Sequence, residues 1–94
     1  MNIKLNTFAN IRDVIGAKEI SIELSSGATL GDLFSFLKNK YGKPFERQIK
    51  DQITGEIVPF LILVNEKTYR SIADLEAPLY EGDSVTIMIP FDGG

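Results

Sequence analysis

Hydrophobic and polar positions along this chain change period several times, and each change marks an element. Ile3 and Leu5 alternate with Asn2, Lys4 and Asn6, the two-residue period of a strand with one wet face. From Phe8 the apolar spacing lengthens to three and four residues through Ile11 and Ile15. That predicts a short helical turn over Phe8–Ile15, closed by Gly16 as a left-handed cap. Alternation returns where Ile20, Ile22 and Leu24 interleave with Glu19, Ser21 and Glu23, predicting a second strand of the antiparallel kind. After the turn Ser25-Ser26-Gly27, the residues Leu30, Leu33, Phe34, Leu37 and Tyr41 form a single apolar stripe, the signature of an amphipathic helix. Thr29 with Asp32 three residues on reads as its capping box. Lys38 and Lys40 lie near its end, as the macrodipole prefers, and Gly42 and Pro44 stop it.

The second half is less periodic. Pro44–Asp51 reads as a short helical turn and Thr54-Gly55-Glu56 as a turn. Ile57–Val64 reads as a strand. Its continuous apolar run Phe60–Val64 fits a central strand covered on both faces, or covered on one and facing a partner on the other. Asn65–Lys67 turns, Thr68–Arg70 predicts a short edge strand, and Ser71–Leu75 predicts another helical turn with Ser71 as N-cap and Asp74 three residues on. Glu81-Gly82-Asp83 is a turn, and Val85, Ile87 and Ile89 alternate with Ser84, Thr86 and Met88 in the last strand. One main helix packed on a mixed sheet of four to five strands is an α+β arrangement. The helix can serve as the right-handed crossover between parallel strands, and the order of elements resembles the β-grasp, or ubiquitin-like, fold. With no repeat and no linker, residues 1–90 read as one domain and residues 91–94 as a flexible C-terminal tail.

Composition narrows the chemistry. The 94 residues include no Cys, no His and no Trp. A chain of this size holds one compact core and little else. Without Cys there is no disulfide, thiolate nucleophile or Cys-based metal site. Without His the usual general base and the commonest metal ligand are missing, and no Ser–His or Cys–His pair can be built. Catalysis by this chain alone would rest on carboxylates, Lys or Tyr. Ten basic against thirteen acidic residues, a net charge of −3, argue against a general nucleic-acid binder. Phe60–Val64 is far too short to span a bilayer, and Met1–Leu5 reads as a strand rather than a signal peptide. The expectation is a cytoplasmic protein with neither a membrane nor a nucleic-acid partner. The basic stretch Lys38, Lys40, Lys43, Arg47 and Lys50 is diluted by Glu46 and Asp51 and reads as a solvated face. Tyr41, Tyr69 and Tyr80 read as packing residues with wet hydroxyls.

The chain closes on Pro90-Phe91-Asp92-Gly93-Gly94. Five residues reach out about 16 Å when extended, and two glycines can enter a channel no wider than a backbone. A Gly-Gly pair alone is weak evidence, since on the pair alone a frayed end is the better account. Ser71–Gly94 contains Asp74, Glu76, Glu81, Asp83 and Asp92 and no Lys or Arg. The bland reading is a solvated acidic surface. The functional one is steering of the tail toward basic grooves, with Asp92 beside the chain end. Phe8, Met88 and Phe91 are the apolar candidates for partner contact. Phe8 shares the parity of Asn2, Lys4 and Asn6, Met88 alternates with Ile87 and Ile89, and Phe91 follows the strand. For Phe8 the competing reading is a cap on the core under its own helical turn.

Three segments carry a family resemblance. Phe8-Ala9-Asn10-Ile11-Arg12-Asp13-Val14-Ile15-Gly16 is similar to the Phe-Ala-x-x-Arg-(acidic)-x-x-Gly segment of MoaD-type proteins. Leu79-Tyr80-Glu81-Gly82-Asp83-Ser84-Val85 resembles their Leu-x-(acidic or polar)-Gly-Asp-x-Val segment, and Ile89-Pro90-Phe91-Asp92-Gly93-Gly94 their Pro-Pro-Val-x-Gly-Gly terminus. Ile89 replaces the first Pro of that pair, and Lys43–Pro59 is longer than in the shortest bacterial members. The chain thus resembles the MoaD/ThiS group of ubiquitin-like sulfur carriers, which includes archaeal modifier proteins.

What that resemblance implies has a plain chemical basis. A C-terminal carboxylate, with an ordinary pKa of about 3.3–3.7, is ionised at neutral pH and is a poor electrophile. In the family an E1-like enzyme uses ATP and magnesium to form an acyl-adenylate at the terminal Gly, and sulfur transfer then gives a thiocarboxylate. A MoaD-type chain is the small subunit of molybdopterin synthase, and it inserts this tail into a MoaE-like large subunit. The resemblance makes Gly94 the reactive group and Gly93 its slim approach. It implies no metal or cofactor bound by the chain itself and no enzyme activity on its own. Three alternatives stay open: a protein modifier whose activated carboxyl is attacked by target-protein lysines, a sulfur carrier for thiamin or tRNA thiolation, and a non-covalent binding module.

Overall fold

The computed structural model describes residues 1–51 and 53–89. Five strands form, β1 (Asn2–Asn6), β2 (Glu19–Glu23), β3 (Leu61–Val64), β4 (Lys67–Tyr69) and β5 (Ser84–Met88), with helices α1 (Ala9–Ile15), α2 (Leu30–Tyr41) and α3 (Lys43–Ile49) and a 3-10 turn over Ile72–Glu76. The strands join one mixed sheet in the order β2-β1-β5-β3-β4. Only β1 and β5 run parallel, with Lys4 level with Ser84 and Asn6 with Thr86. β1–β2, β3–β4 and β3–β5 are antiparallel. The last strand therefore lies at the centre of the sheet, which is the β-grasp arrangement expected from the element order.

Alternation along each strand decides which face is dry. Ile3, Leu5, Ile22, Ile62, Val64, Val85 and Ile87 turn to the helices and are buried. They meet Leu30, Leu33, Phe34 and Leu37 of α2, Ile11 of α1, and Phe45 and Ile49 of α3 in one apolar core. Phe34 organises the far end of that core, taking Phe45 at 6.3 Å and Phe60 at 5.9 Å between ring centroids, both in edge geometry, the arrangement aromatic quadrupoles favour. The capping box of α2 forms in full: Thr29 Oγ1 accepts from the Asp32 N–H at 3.2 Å and the Asp32 carboxylate accepts from the Thr29 N–H at 2.8 Å. Gly16 ends α1 at φ +83°, and its N–H donates to Arg12 O, a conformation only glycine adopts without strain.

Several boundaries differ from expectation. The third long strand begins at Leu61 rather than Ile57. Ile57 makes only an isolated bridge to Lys50, and Pro59, with no amide hydrogen and a fixed φ, keeps the intervening chain out of the ladder. β3 is covered on one face only, so Leu61 and Leu63 stay half-buried. The edge strand is Lys67–Tyr69 rather than Thr68–Arg70, because Asn65 and Glu66 alone make the turn, with Asn65 at φ +56°, a residue tolerated there in tight hairpins. The helical turn expected at Ser71–Leu75 is the 3-10 segment Ile72–Glu76, and that at Pro44–Asp51 is α3.

Candidate functional site

β5 is the strand that leads to the chain end, and its two faces have different tasks. Val85 and Ile87 fill the core, whereas Ser84, Thr86 and Met88 look out on the face opposite the helices. Met88 lies directly across from Leu61 and Thr86 from Leu63. Together Leu61, Leu63 and Met88 make a half-buried apolar strip on the open face of the sheet. The other half of that face is polar: Asn6 donates to Ser84 Oγ at 2.9 Å, and Lys4 lies 3.8 Å from Glu19.

Extending the parallel β1–β5 register two residues past Asn6 and Thr86 puts Phe8 and Met88 at the same end of the sheet. Phe8 is 55% exposed, which decides against its being a cap on the core. It is the N-cap of α1 and makes no side-chain cap bond. The Arg12 guanidinium lies 5.8 Å from the centre of its ring and donates from Nη2 to Thr7 O at 3.1 Å. Phe and Arg of the first motif are thus one unit, holding an aromatic ring out from the end of β1. Thr7 beneath is buried, with its hydroxyl donating to Ala17 O.

The second motif has a structural account. Gly82 sits at φ +80°, and its N–H donates to Asn2 O at 2.8 Å. The Asp83 carboxylate accepts from Tyr80 N–H at 2.8 Å and from the Asn65 amide at 3.1 Å. Lys4 N–H donates to Asp83 O at 2.9 Å. The Gly-Asp turn therefore aligns the start of β5 with β1.

The acidic run splits along the same lines. Asp74 accepts from the N–H groups of Arg70 and Ser71, and Glu81 accepts from Asn2 N–H. With Asp83 these carboxylates serve local turns. Asp92, like Phe91, Gly93, Gly94 and the whole expected tail 91–94, lies outside the described residues.

The basic stretch is also answered internally. The hydrogen bond from Lys50, 3.1 Å from Glu46, and the charges of Lys38, Lys50 and Lys43 hold the Glu46 carboxyl below its ordinary pKa. Hydrogen bonds from Thr54 and Ile53 do the same for Asp51. Of the three tyrosines, Tyr80 departs from expectation: at 66% exposure it is not a packing residue. Among the described residues no group of His, Cys, Asp and Glu converges as a metal site, and no helix is long and apolar enough to cross a membrane.

Leu61 and Leu63 adjoin Met88, and Arg12 adjoins Phe8, neighbours that the sequence reading did not group with them. The uninterrupted apolar run Phe60–Val64 was the signal for the two leucines, since alternate positions of a strand cannot all face one core. Arg12 was visible only inside its motif.

A mixed sheet gripping one long helix, with an apolar strip on the open face of its last strand, defines a ubiquitin-like β-grasp domain. The model described as the ThiS family matches residues 5–94, and the chain belongs to that family. Small archaeal modifier protein 3 of Haloferax volcanii is 32% identical over 95 residues, covering 100% of each chain. The sulfur carrier protein CysO of Mycobacterium tuberculosis is 35% identical over 80 residues, covering 84% of this chain and 83% of its own. A solved Pyrococcus furiosus structure described as molybdopterin converting factor subunit 1 superposes with a TM-score of 0.73 at 26% identity, covering 96% of this chain and 98% of that one. The family's small proteins are thus carriers and modifiers.

Proposed function

We propose that this chain is a sulfur carrier activated at the carboxyl of Gly94, and that it serves as the small, MoaD-like subunit of molybdopterin synthase. The Gly94 carboxylate attacks the α-phosphate of ATP, held with magnesium by an E1-like enzyme, and pyrophosphate leaves. Hydrosulfide from the donor then attacks the acyl carbon, AMP leaves and the thiol proton is lost, giving the thiocarboxylate that a MoaE-like large subunit receives. The observation that carries this reading is that the family match runs from residue 5 through Gly94, so Gly93 and Gly94 fall within the matched stretch. The exposed Phe8 and the strip around Met88 support docking at the end of the sheet from which the tail continues, with Phe91 and Asp92 as tail contacts. ATP-dependent activation makes the cytoplasm the working compartment.

The test is intact-mass measurement after incubation with the cognate E1-like enzyme, ATP and a sulfur donor. Oxygen-for-sulfur exchange at Gly94, abolished by deleting Gly94, is the expected result. No exchange with the cognate enzyme overturns the proposal. A second reading, a modifier that forms isopeptide bonds to target lysines, is favoured by the alignment with small archaeal modifier protein 3 over the whole of both chains. Gly-Gly remnants on lysines in cell extract would establish it, and their absence would count against it.

A further inference from the structure

The two outer strands of the sheet are not alike. β4 is three residues long and carries Lys67, a common way of blunting an edge. β2 is five residues long, Glu-Ile-Ser-Ile-Glu, and pairs one-to-one with β1 without a bulge or a proline. Thr7 N–H bonds to Lys18 O at 2.9 Å and Leu24 N–H to Met1 O at 2.8 Å, which fixes the bonded pairs of this ladder. Antiparallel alternation then makes Ile3–Ile22 and Leu5–Ile20 the bonded pairs between them. The backbone N–H and C=O groups of Glu19, Ser21 and Glu23 consequently point outward, and among the described residues nothing bonds to them. The side chains of these same three residues share the open face, while Ile20 and Leu24 are half-buried on the helix side.

We propose that the β2 edge is a docking site for an extended segment of a partner protein with alternating basic and apolar residues. Such a segment adds a sixth strand, exchanging backbone hydrogen bonds with Glu19, Ser21 and Glu23. Its apolar side chains cover Ile20 and Leu24. Its basic ones lie beside Glu19 and Glu23, which are about 13 Å apart along the strand. Charge selects this occupant over a second copy of the chain: two β2 strands paired antiparallel about Ser21 would set Glu19 against Glu23 at both ends, and like charges directly opposite are destabilising. Lys4 answers Glu19 only at 3.8 Å, with both side chains more than half exposed, so it competes weakly. This edge is separate from the apolar strip of β3 and β5 and independent of the chemistry proposed for Gly94.

The probe is a short blocked peptide alternating Arg and Val, titrated into the full chain and read by amide hydrogen exchange. The amides of Glu19, Ser21 and Glu23 are expected to slow at least about tenfold at saturation, while those of Ile20 and Ile22, already bonded, change little. Ser21→Pro removes an outward donor without touching the β1 ladder and should weaken binding about tenfold. Glu23→Lys should weaken it about three- to fivefold, and it keeps the test decisive should the proline variant not fold. A peptide alternating Glu and Val should not bind. The proposal is overturned if the three amides stay unprotected, if the acidic peptide protects them equally, or if their protection rises with protein concentration without peptide, which would make the occupant a second copy.

Discussion

Ile87 and Met88 are neighbours in β5, yet one belongs to the core and the other to the proposed docking face, and substituting each tests that division. Ile87 is fully buried opposite Ile62. Ile87→Ala removes three buried carbons, worth about 2.4 kcal/mol at ~0.8 kcal/mol each. The residual cavity raises the loss to about 3–4 kcal/mol. A 94-residue domain has roughly 5–14 kcal/mol of stability in all, so this variant should be marginal. Ile87→Val, which loses one carbon, should cost about 1 kcal/mol and lower Tm by about 4–8 °C. Met88 faces Leu61 on the half-open side, so Met88→Asp should cost about 1 kcal/mol or less while setting a charge in the apolar strip. Urea denaturation gives the stabilities, and mass measurement of thiocarboxylate formation gives the function. Ile87→Val should keep its rate where folded, and Met88→Asp should lose most of it at nearly native stability. If Met88→Asp lowers the urea midpoint as far as Ile87→Ala, or supports activation at the unaltered rate, the separation of faces is wrong.

Other predictions follow from local structure. Thr29→Ala breaks the capping box of α2 and should cost about 1 kcal/mol; an unchanged Tm would refute the cap's role. Asn65 has φ +56° and bonds Asp83 and Ser84 through its side chain. Asn65→Ala should therefore cost about 2 kcal/mol and Asn65→Gly less, and equal urea midpoints for the two would contradict this. Glu46 and Asp51 have lowered pKa values, so the folded state binds fewer protons than the unfolded one below the ordinary carboxylate value. Their contribution is present above pH about 4 and lost as pH falls through the folded-state pKa. Asp51→Asn keeps the acceptor for Ile53 and Thr54 and should flatten the acid side of a stability–pH series; an unaltered slope would exclude Asp51 as a source.

Elements with a strong local period were legible in the sequence. The α2 stripe, its Thr29–Asp32 cap and the alternation of β1, β2 and β5 state their own burial, because one face of each meets the core. The misreadings fall where local rules compete. Phe60 is buried yet lies outside β3, so apolar character there reported side-chain burial and not ladder pairing. Asp74, three residues after the Ser71 N-cap, is readable as a capping partner and forms that box, whereas Asp83 looks like surface charge in a sequence, and only its bonds to Tyr80 N–H and the Asn65 amide reveal it as a turn acceptor. Phe8 could be placed on either side by its pattern, since parity ceases to apply where β1 ends. Its ring lies against Arg12, four residues on, which reaches back to Thr7 O, a contact that strand parity does not encode.

The proposed reaction falls on a backbone carboxyl rather than on a side chain. Among the described residues, local hydrogen bonds hold the Glu46 and Asp51 carboxyls below their ordinary pKa, which suits them to their local structure and not to acid catalysis near neutral pH. If the proposed activation at Gly94 holds, the fold's contribution is to let a partner grip the strip at Met88 while the chain end enters its site. Gly94 lies six residues beyond Met88, a reach of at most about 22 Å. Such a device responds asymmetrically to length. Deleting Phe91 and Asp92 removes about 7 Å that nothing can restore, and catalysis needs reacting atoms within about 3–3.5 Å, so thiocarboxylate formation should cease. Inserting two glycines after Asp92 leaves slack that can bulge and should lower the rate only several-fold, a loss of about 1 kcal/mol in positioning. Phe91→Gly with Asp92→Gly keeps the length and isolates the loss of side-chain contact. Equal rates for the deletion and this double substitution would refute a measured reach and leave side-chain contacts as the whole effect.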